Sequence, residues 1–377
     1  MKVLIAVTHL LGTGHLSRAL TLGRAFAAAG HQVCVASGGF AAPQLNADGV
    51  DLLQLPPLRS DGVDFTRLLT ASSDVADEAY YSKRQDALCT ALTDMQPDIL
   101  ITELYPFGRR SLAEEFKALL TTAHAMPRRP VILASIRDIL APPSKPKKAI
   151  QADAMIAEYY DAVLVHSDPT ATRLEVSWPV SEMLEKKLRY TGYVTPPAPT
   201  EHPQRDGDGE VLVSAGGGSV GDALFETACL AAAQMPDTRW RLLVGGSDAA
   251  QRIERLQAIG SPAVIEPARP DFRQMLPLAA ASVSMCGYNT ALDLLQCGTP
   301  SVLIPFDAGK EVEQGLRAQS LKPMPGFEVV TSADLTPDSL CQAIREAMTS
   351  PRRATDGLHF NGASRTVEIS VDMAAQR

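Results

Sequence analysis

The chain of 377 residues has no C-x-x-C pair among its six cysteines, Cys34, Cys89, Cys229, Cys286, Cys297 and Cys341. Most of them lie in apolar runs, which reads as buried thiols of a reducing compartment and argues against a zinc site. Basic charge is not in excess: 35 Lys and Arg stand against 43 Asp and Glu, a net charge of −8. That balance excludes a dedicated nucleic-acid binder that depends on neutralising phosphates. Long apolar runs are lacking too. The first, residues 2 to 8, stops in a glycine-containing turn, far short of the roughly 20 residues that span a bilayer, and it has no small-residue cleavage site. The expectation is a cytoplasmic protein whose only membrane contact would be peripheral, at the inner face. No D-x-D motif stands where it could hold a divalent ion against a diphosphate. Asp206-Gly207-Asp208 falls in a polar stretch that solvent exposure explains better, so neither a metal nor a cofactor is expected.

What is present is ample core: 45% hydrophobic residues against 21% charged, over a length that suits two domains. The first half alternates β-branched apolar runs with amphipathic helical stretches, the pattern of a parallel sheet covered on both faces. Strands are predicted at 2–8, 32–37, 98–102, 130–135 and 162–166, and a helix over 16–29 closing at Gly30. Residues 56–97 read as a partly helical insertion, and the Pro/Lys-rich start of 142–160 reads as an exposed loop. Residues 195–209 are rich in proline, glycine and charge and read as a linker. A second α/β domain follows, with strands predicted at 210–214, 239–244, 263–266, 281–285 and 301–304 and a helix near 221–234. Each half opens with strand, glycine turn and helix, which suggests a cleft between them and a ligand at the carboxyl ends of the strands.

The first turn, Gly12-Thr13-Gly14-His15, can present backbone amides to an anion or a polarised hydroxyl. A dinucleotide site would need a third glycine where Ser17 stands, and an acid at the end of the second strand, which instead ends Ala36-Ser37-Gly38-Gly39. His15 is placed to take a proton from a hydroxyl, although by position alone a histidine beside a turn is more often a cap or surface residue. Glu103, at the end of the third predicted strand, could orient that imidazole, or could equally form a plain ion pair with Arg109 or Arg110. Tyr105, Arg109, Arg137, Asp138 and His166-Ser167-Asp168 also fall at strand ends and are candidates for the acceptor side, together with Gly12 and Gly14. In the second half, Gly217, Gly218 and Ser219 allow close approach of a phosphate at a helix start. Gly287, Tyr288, Asn289 and Thr290 suit a diphosphate, and Asp293, one turn on, suits a ribose. The same residues also make an ordinary helix cap.

The stretch Cys286-Gly287-Tyr288-Asn289-Thr290-Ala291-Leu292-Asp293, followed by Cys297-Gly298-Thr299-Pro300 and Pro305-Phe306, resembles the donor-binding signature of two glycosyltransferase families. These are the peptidoglycan N-acetylglucosaminyltransferases of family 28 and the UDP-glycosyltransferases. With the glycine turns at 12–15 and 217–219, the resemblance spans both halves apart from 56–97 and 105–160. It implies the GT-B fold: two Rossmann-like, doubly wound domains, with residues 1–194 binding acceptor, 195–209 linking, 210–355 binding a nucleotide sugar, and 356–377 a helix packing back on the first domain. It implies His15 as base and Glu103 as its acidic partner, Asn289 and Thr290 on the diphosphate, Asp293 on the ribose and Gln314 on the sugar. Met285 stands where many members carry a histidine, which leaves charge neutralisation to helix N-termini or to a basic residue such as Arg269 or Arg18. Asp293 stands for the usual Glu. The implied activity is inverting, metal-independent transfer from a nucleoside-diphosphate sugar, UDP expected, to a hydroxyl acceptor, as in cell-envelope glycan synthesis. The Lys145, Lys147 and Lys148 loop could touch an anionic membrane holding a lipid-linked acceptor, although such a charge run is more often a solvated loop. A UDP-sugar 2-epimerase on the same fold and a non-catalytic nucleotide-sugar-binding protein are the alternatives.

Overall fold

A computed structural model of the chain describes residues 1–10, 13–60, 67–216, 220–307 and 311–377. Two compact units emerge: Met1–Pro169, Arg173–Val194 and Asn361–Arg377 in one, Thr170–Thr172 and Thr195–Phe360 in the other.

In unit 1, seven parallel strands form one sheet in the spatial order Asp51–Gln54, Gln32–Ser37, Lys2–Val7, Ile99–Glu103, Val131–Arg137, Ala162–His166, Leu188–Tyr190. Side chains alternate between its faces, and both faces are apolar because helices cover both. Val3, Ile5, Val35, Ile101 and Leu133 pack with Leu16, Leu20 and Phe26 of the helix Gly14–Ala28 on one side. Leu4, Ala6, Leu100, Ile132 and Val163 pack on the other, with Leu88, Leu92, Phe116 and Ile156 from three further helices, Glu78–Met95, Ala113–Ala125 and Pro146–Tyr159. The helix Gly362–Ala375 joins the first of these cores through Val367, with Ala363, Ile369 and Val371 beside it. Gly362 is required there, because a Cβ would lie 2.4 Å from the Gly192 carbonyl oxygen.

In unit 2, six parallel strands run in the order Val264–Pro267, Arg239–Val244, Glu210–Ser214, Ala281–Ser284, Ser301–Leu303, Phe327–Val329. In both sheets the strand order reverses beside the first strand, and ligands of doubly wound sheets bind at such a point, outside the carboxyl ends of the strands. Glu103 ends one strand at this point in unit 1, and Gly216 and Gly287 follow the corresponding strands in unit 2.

Three boundaries differ from the sequence reading. Residues 195–209 are anchored in unit 2: Gln296 donates to the Pro196 carbonyl at 2.9 Å, Arg273 to that of Pro197 at 3.1 Å, and Asp206 pairs with Arg269 at 2.7 Å. The polar groups that suggested a solvated linker have partners within the unit. Residues 356–360 also stay with unit 2, and the last helix starts at Gly362. The lysine-rich loop is shorter than read, because Pro146 sits at the first helical position and draws Lys147 and Lys148 into a helix.

Candidate functional site

The helix Gly14–Ala28 has no side-chain cap at Thr13 and no acid in its first turn. Its positive end is complemented from the neighbouring strand by Glu103, 1% exposed, whose carboxylate lies 2.9 Å from His15 Nδ1. Arg18, one turn along the same helix, donates to Glu103 from its Nη2, which also lies 3.4 Å from His15 Nδ1. Burial works to raise the Glu103 carboxyl. The charges of His15, Arg18 and Arg109, with the His15 hydrogen bond, outweigh it and hold the group well below the usual carboxylate range. Burial pushes the His15 imidazole below its ordinary value against the pull of Glu103, so the ring is neutral at pH 7. With Nδ1–H donating to the carboxylate, Nε2 carries the lone pair. The side chain keeps 18% of its surface exposed.

The turn after Glu103 is conformationally costly: Leu104 and Arg109 are non-glycine residues in the left-handed region, with φ of 67° and 58°. Such positions cost about 1–3 kcal/mol each and cluster at functional sites. Arg109 donates from Nε to the Thr8 carbonyl at 2.5 Å, which ties the turn to the end of the first strand. Arg110 donates to the Phe107 carbonyl, so neither arginine is the ion-pair partner of Glu103. Arg18 is.

The other acceptor-side candidates divide. Gly14 faces open space and Arg137 is half-buried, with Nε donating to the Ile139 carbonyl at 3.1 Å. Asp138 is buried. Tyr105 is a core residue, not a ligand contact: its ring is 4% exposed and stacks on Phe116 at 4.7 Å, and burial pushes its hydroxyl up to about 12. His166 is likewise structural. It is fully buried between Ser135 Oγ at 2.8 Å and Thr191 Oγ1 at 2.9 Å, and burial lowers it to about 3. Gly12 lies outside the described residues, as do Gly217, Gly218 and Ser219.

In unit 2, Gly221 caps the helix Asp222–Gln234 with φ of 89°, where a side chain would be strained. Arg252, 2% exposed, holds that turn: it donates to the Val220 carbonyl at 2.7 Å, to the Gly245 carbonyl at 2.8 Å and to Asp222 at 2.7 Å. The helix Tyr288–Cys297 starts at Gly287, which has open space around its Cα and no side-chain cap. Asn289 is exposed and Thr290 half-exposed in the first turn, beside amides with no intrahelical partner. Asp293 is buried and bound by Arg273 Nε at 2.6 Å. Burial raises its carboxyl and Arg273 opposes the rise. Arg273 also donates to Gln296 Oε1 at 3.1 Å, and the arginine lines a cavity of about 490 Å³ with Pro197, Thr200, Pro270 and Gln274. Gln314 accepts from the Phe306 amide at 3.1 Å.

Neither basic residue suggested for the diphosphate is placed for it. Arg269 is taken up by Asp271 at 2.7 Å and Asp206 at 2.7 Å, and Arg18 serves Glu103 in unit 1. The arginine that does approach the start of the helix at Gly287 is Arg317, 3% exposed, donating to the Cys286 carbonyl at 3.1 Å with its guanidinium 5.7 Å from the centre of the Tyr288 ring. It falls three residues after Gln314, close enough to that candidate in sequence to have been weighed with it.

Residues 212–366 match the family description "Glycosyltransferase family 28 C-terminal domain". A transferase of Brucella anthropi, UDP-N-acetylglucosamine–N-acetylmuramyl-(pentapeptide) pyrophosphoryl-undecaprenol N-acetylglucosamine transferase, is 33% identical over 143 residues, 36% of this chain and 38% of its own. The chain thus matches less than two fifths of that relative's length. Among solved structures, MurG of Acinetobacter baumannii superposes with a TM-score of 0.64 at 16% identity, covering 100% of this chain and 99% of its own. The glycosyltransferase of kitacinnamycin superposes with a TM-score of 0.67 at 18% identity over 99% and 98%. These likenesses join the two doubly wound sheets and the helix start at Gly287: the chain has the GT-B fold, and its second unit is similar to the C-terminal domain of MurG-like family 28 glycosyltransferases.

Proposed function

We propose that the protein is a glycosyltransferase that moves a sugar from a nucleoside-diphosphate sugar, UDP by preference, to a hydroxyl acceptor, with inversion and without a metal. The observation that carries this reading is the buried Glu103 carboxylate against Nδ1 of a neutral, partly exposed His15. Nε2 takes the proton of the acceptor hydroxyl as its oxygen attacks the anomeric carbon. The bond from that carbon to the diphosphate oxygen breaks, and the nucleoside diphosphate leaves with the electron pair. Glu103 remains ionised and stabilises the imidazolium. The amides at the start of the helix Tyr288–Cys297 receive the charge that grows on the leaving diphosphate, with Asn289 and Thr290 as side-chain donors. Glycine residues 217, 218 and Ser219 are proposed to share that role, Asp293 to bind the ribose, and Gln314 the sugar.

The family match over 212–366 supports a nucleotide-sugar donor. The Brucella relative's name supports a lipid-linked acceptor, and with it a peripheral position on the cytoplasmic face of a membrane. Among the described residues, no helix is long and apolar enough to cross one.

The test is thermal stabilisation of the purified protein by UDP, GDP, dTDP, ADP and NAD, each with and without EDTA. A ligand at 100 times its Kd that binds only the folded state adds about 2.7 kcal/mol. A rise with UDP that survives EDTA is expected; a rise with NAD alone, or with none of the five, overturns the reading.

A further inference from the structure

We propose that Arg18 is a positioning residue for the His15–Glu103 pair: it pins the carboxylate beneath His15 Nδ1 and keeps the imidazole in its uncharged, proton-accepting form. This rests on the reading of His15 as the base.

The geometry is that of a three-member set made by two elements. His15 and Arg18 are three residues apart on one helix, hence on the same face. Glu103 comes from the adjacent strand and meets both. Arg18 donates from Nη2 to Oε1 of Glu103, and His15 Nδ1 lies 2.9 Å from that same oxygen, so a rigid, planar guanidinium fixes the oxygen that the imidazole uses more narrowly than a flexible lysine would. With Arg18 and Glu103 both nearly fully buried, at 7% and 1%, turning either away from the other breaks a buried ion pair. Glu103 therefore has its orientation set before His15 is considered. The imidazole finds an acceptor already in place for Nδ1–H, which selects the tautomer with the lone pair on Nε2.

Charge acts in the same direction. A lone buried carboxylate beside an imidazole would draw a proton onto the ring and make it a poor base near neutrality. Burial does most to keep the ring uncharged; Arg18 shares the negative charge of Glu103 and adds a positive charge 3.4 Å from Nδ1, which acts in the same direction. Among the described residues, the other charged and titratable groups around the set are Arg109, from the turn after Glu103, which also resists protonation, and His166, from the strand Ala162–His166, which is neutral. Arg137 lies next to Arg109 in turn.

The experiment is a titration of the histidine rings by nitrogen-resolved NMR in the free protein, with the His15 signals identified by His15→Gln, for the native chain, Arg18→Met and Arg18→Lys. The native ring is expected as the Nδ1–H tautomer. In Arg18→Met its midpoint moves up by about one pH unit, the scale of an adjacent charge, and the acid limb of kcat/KM moves with it. Arg18→Lys keeps the charge but not the rigid, planar guanidinium, so its midpoint stays near the native one while kcat falls and the tautomers mix. An unchanged midpoint in Arg18→Met overturns the proposal. If Arg18→Met does not fold, Arg18→Lys decides: a native tautomer together with native kcat overturns it. A protein that transfers no sugar defeats the reading of His15 as base, yet the ring titration still reports whether Arg18 governs it.

Discussion

The two units start alike and end with different chemistry. Each opens with a strand, a glycine turn and a helix at the point where strand order reverses. In unit 1 the first turn of the helix carries His15 and Arg18, which converge on Glu103. In unit 2 the arginine at the glycine turn, Arg252, binds carbonyl oxygens and Asp222 and so shapes the backbone. The second helix start of unit 2, at Gly287, offers Asn289 and Thr290 and no acid or imidazole until Asp293, which Arg273 already binds. One helix start carries an imidazole held against a buried carboxylate, and the other carries Asn289 and Thr290 with Arg317 nearby. The same backbone geometry therefore does not fix the chemistry; the partner supplied by the neighbouring strand or loop does.

The comparison breaks first at His15. His15→Ala is expected to lower kcat about 10²- to 10⁴-fold, the range of a general base, with nucleotide-induced stabilisation unchanged. A loss of nucleotide binding in this variant would mean that the two roles are not divided between the units. Next is Glu103→Gln, which leaves Arg18 buried without its counter-charge. It should cost about 3 kcal/mol in denaturant unfolding, as breaking a buried pair does, besides reducing transfer less than His15→Ala. Arg273→Ala sharpens the unit 2 side. Freed of its ion pair, Asp293 should change the KM for nucleotide sugar by up to about tenfold, the scale of one charge-assisted hydrogen bond, while kcat and the His15 titration stay as they are.

A further effect is in pH dependence. A buried neutral histidine whose folded value is about 3, against an ordinary 6.5, favours folding fully above pH 6.5. Below that the unfolded chain binds the extra proton, so this contribution is lost progressively down to about pH 3. Urea midpoints at pH 7, 5 and 3.5 should therefore fall less steeply in His166→Gln than in the native chain. Glu103 acts in a lower window: its contribution is complete above the ordinary carboxylate value near 4 and is lost below it.

The central strands were legible because each is a short, mostly apolar run that ends buried on both faces; Gln32–Ser37 and Arg239–Val244 lie where the pattern puts them. The edge strands Asp51–Gln54 and Phe327–Val329 were not, since the first is largely exposed and the second has three residues. His15 and Glu103 could be singled out from their places at a helix start and a strand end. Their meeting at 2.9 Å depends on which strand lies next to the first, which no local pattern states. The arginines were the hardest to place, because a long side chain takes its partner from tertiary packing. Arg18 and Arg269 looked available for a diphosphate, and each is committed to carboxylates instead. For Arg18 a signal existed in its spacing of three from His15. For Tyr105 the aromatic at a strand end looked like a binding residue, and only its stacking on Phe116 shows that it belongs to the core.

The helix Gly362–Ala375 belongs to the core of the unit that begins at Met1. During synthesis the ribosome must make residues 195–361 before it reaches this helix, which at 5–20 residues per second takes on the order of ten seconds. For that time the apolar side of Gly14–Ala28 that Val367 and its neighbours cover has no cover of its own. The unit that carries His15 is thus completed last although it is begun first, and the order of translation sets how long its nascent surface needs protection from aggregation.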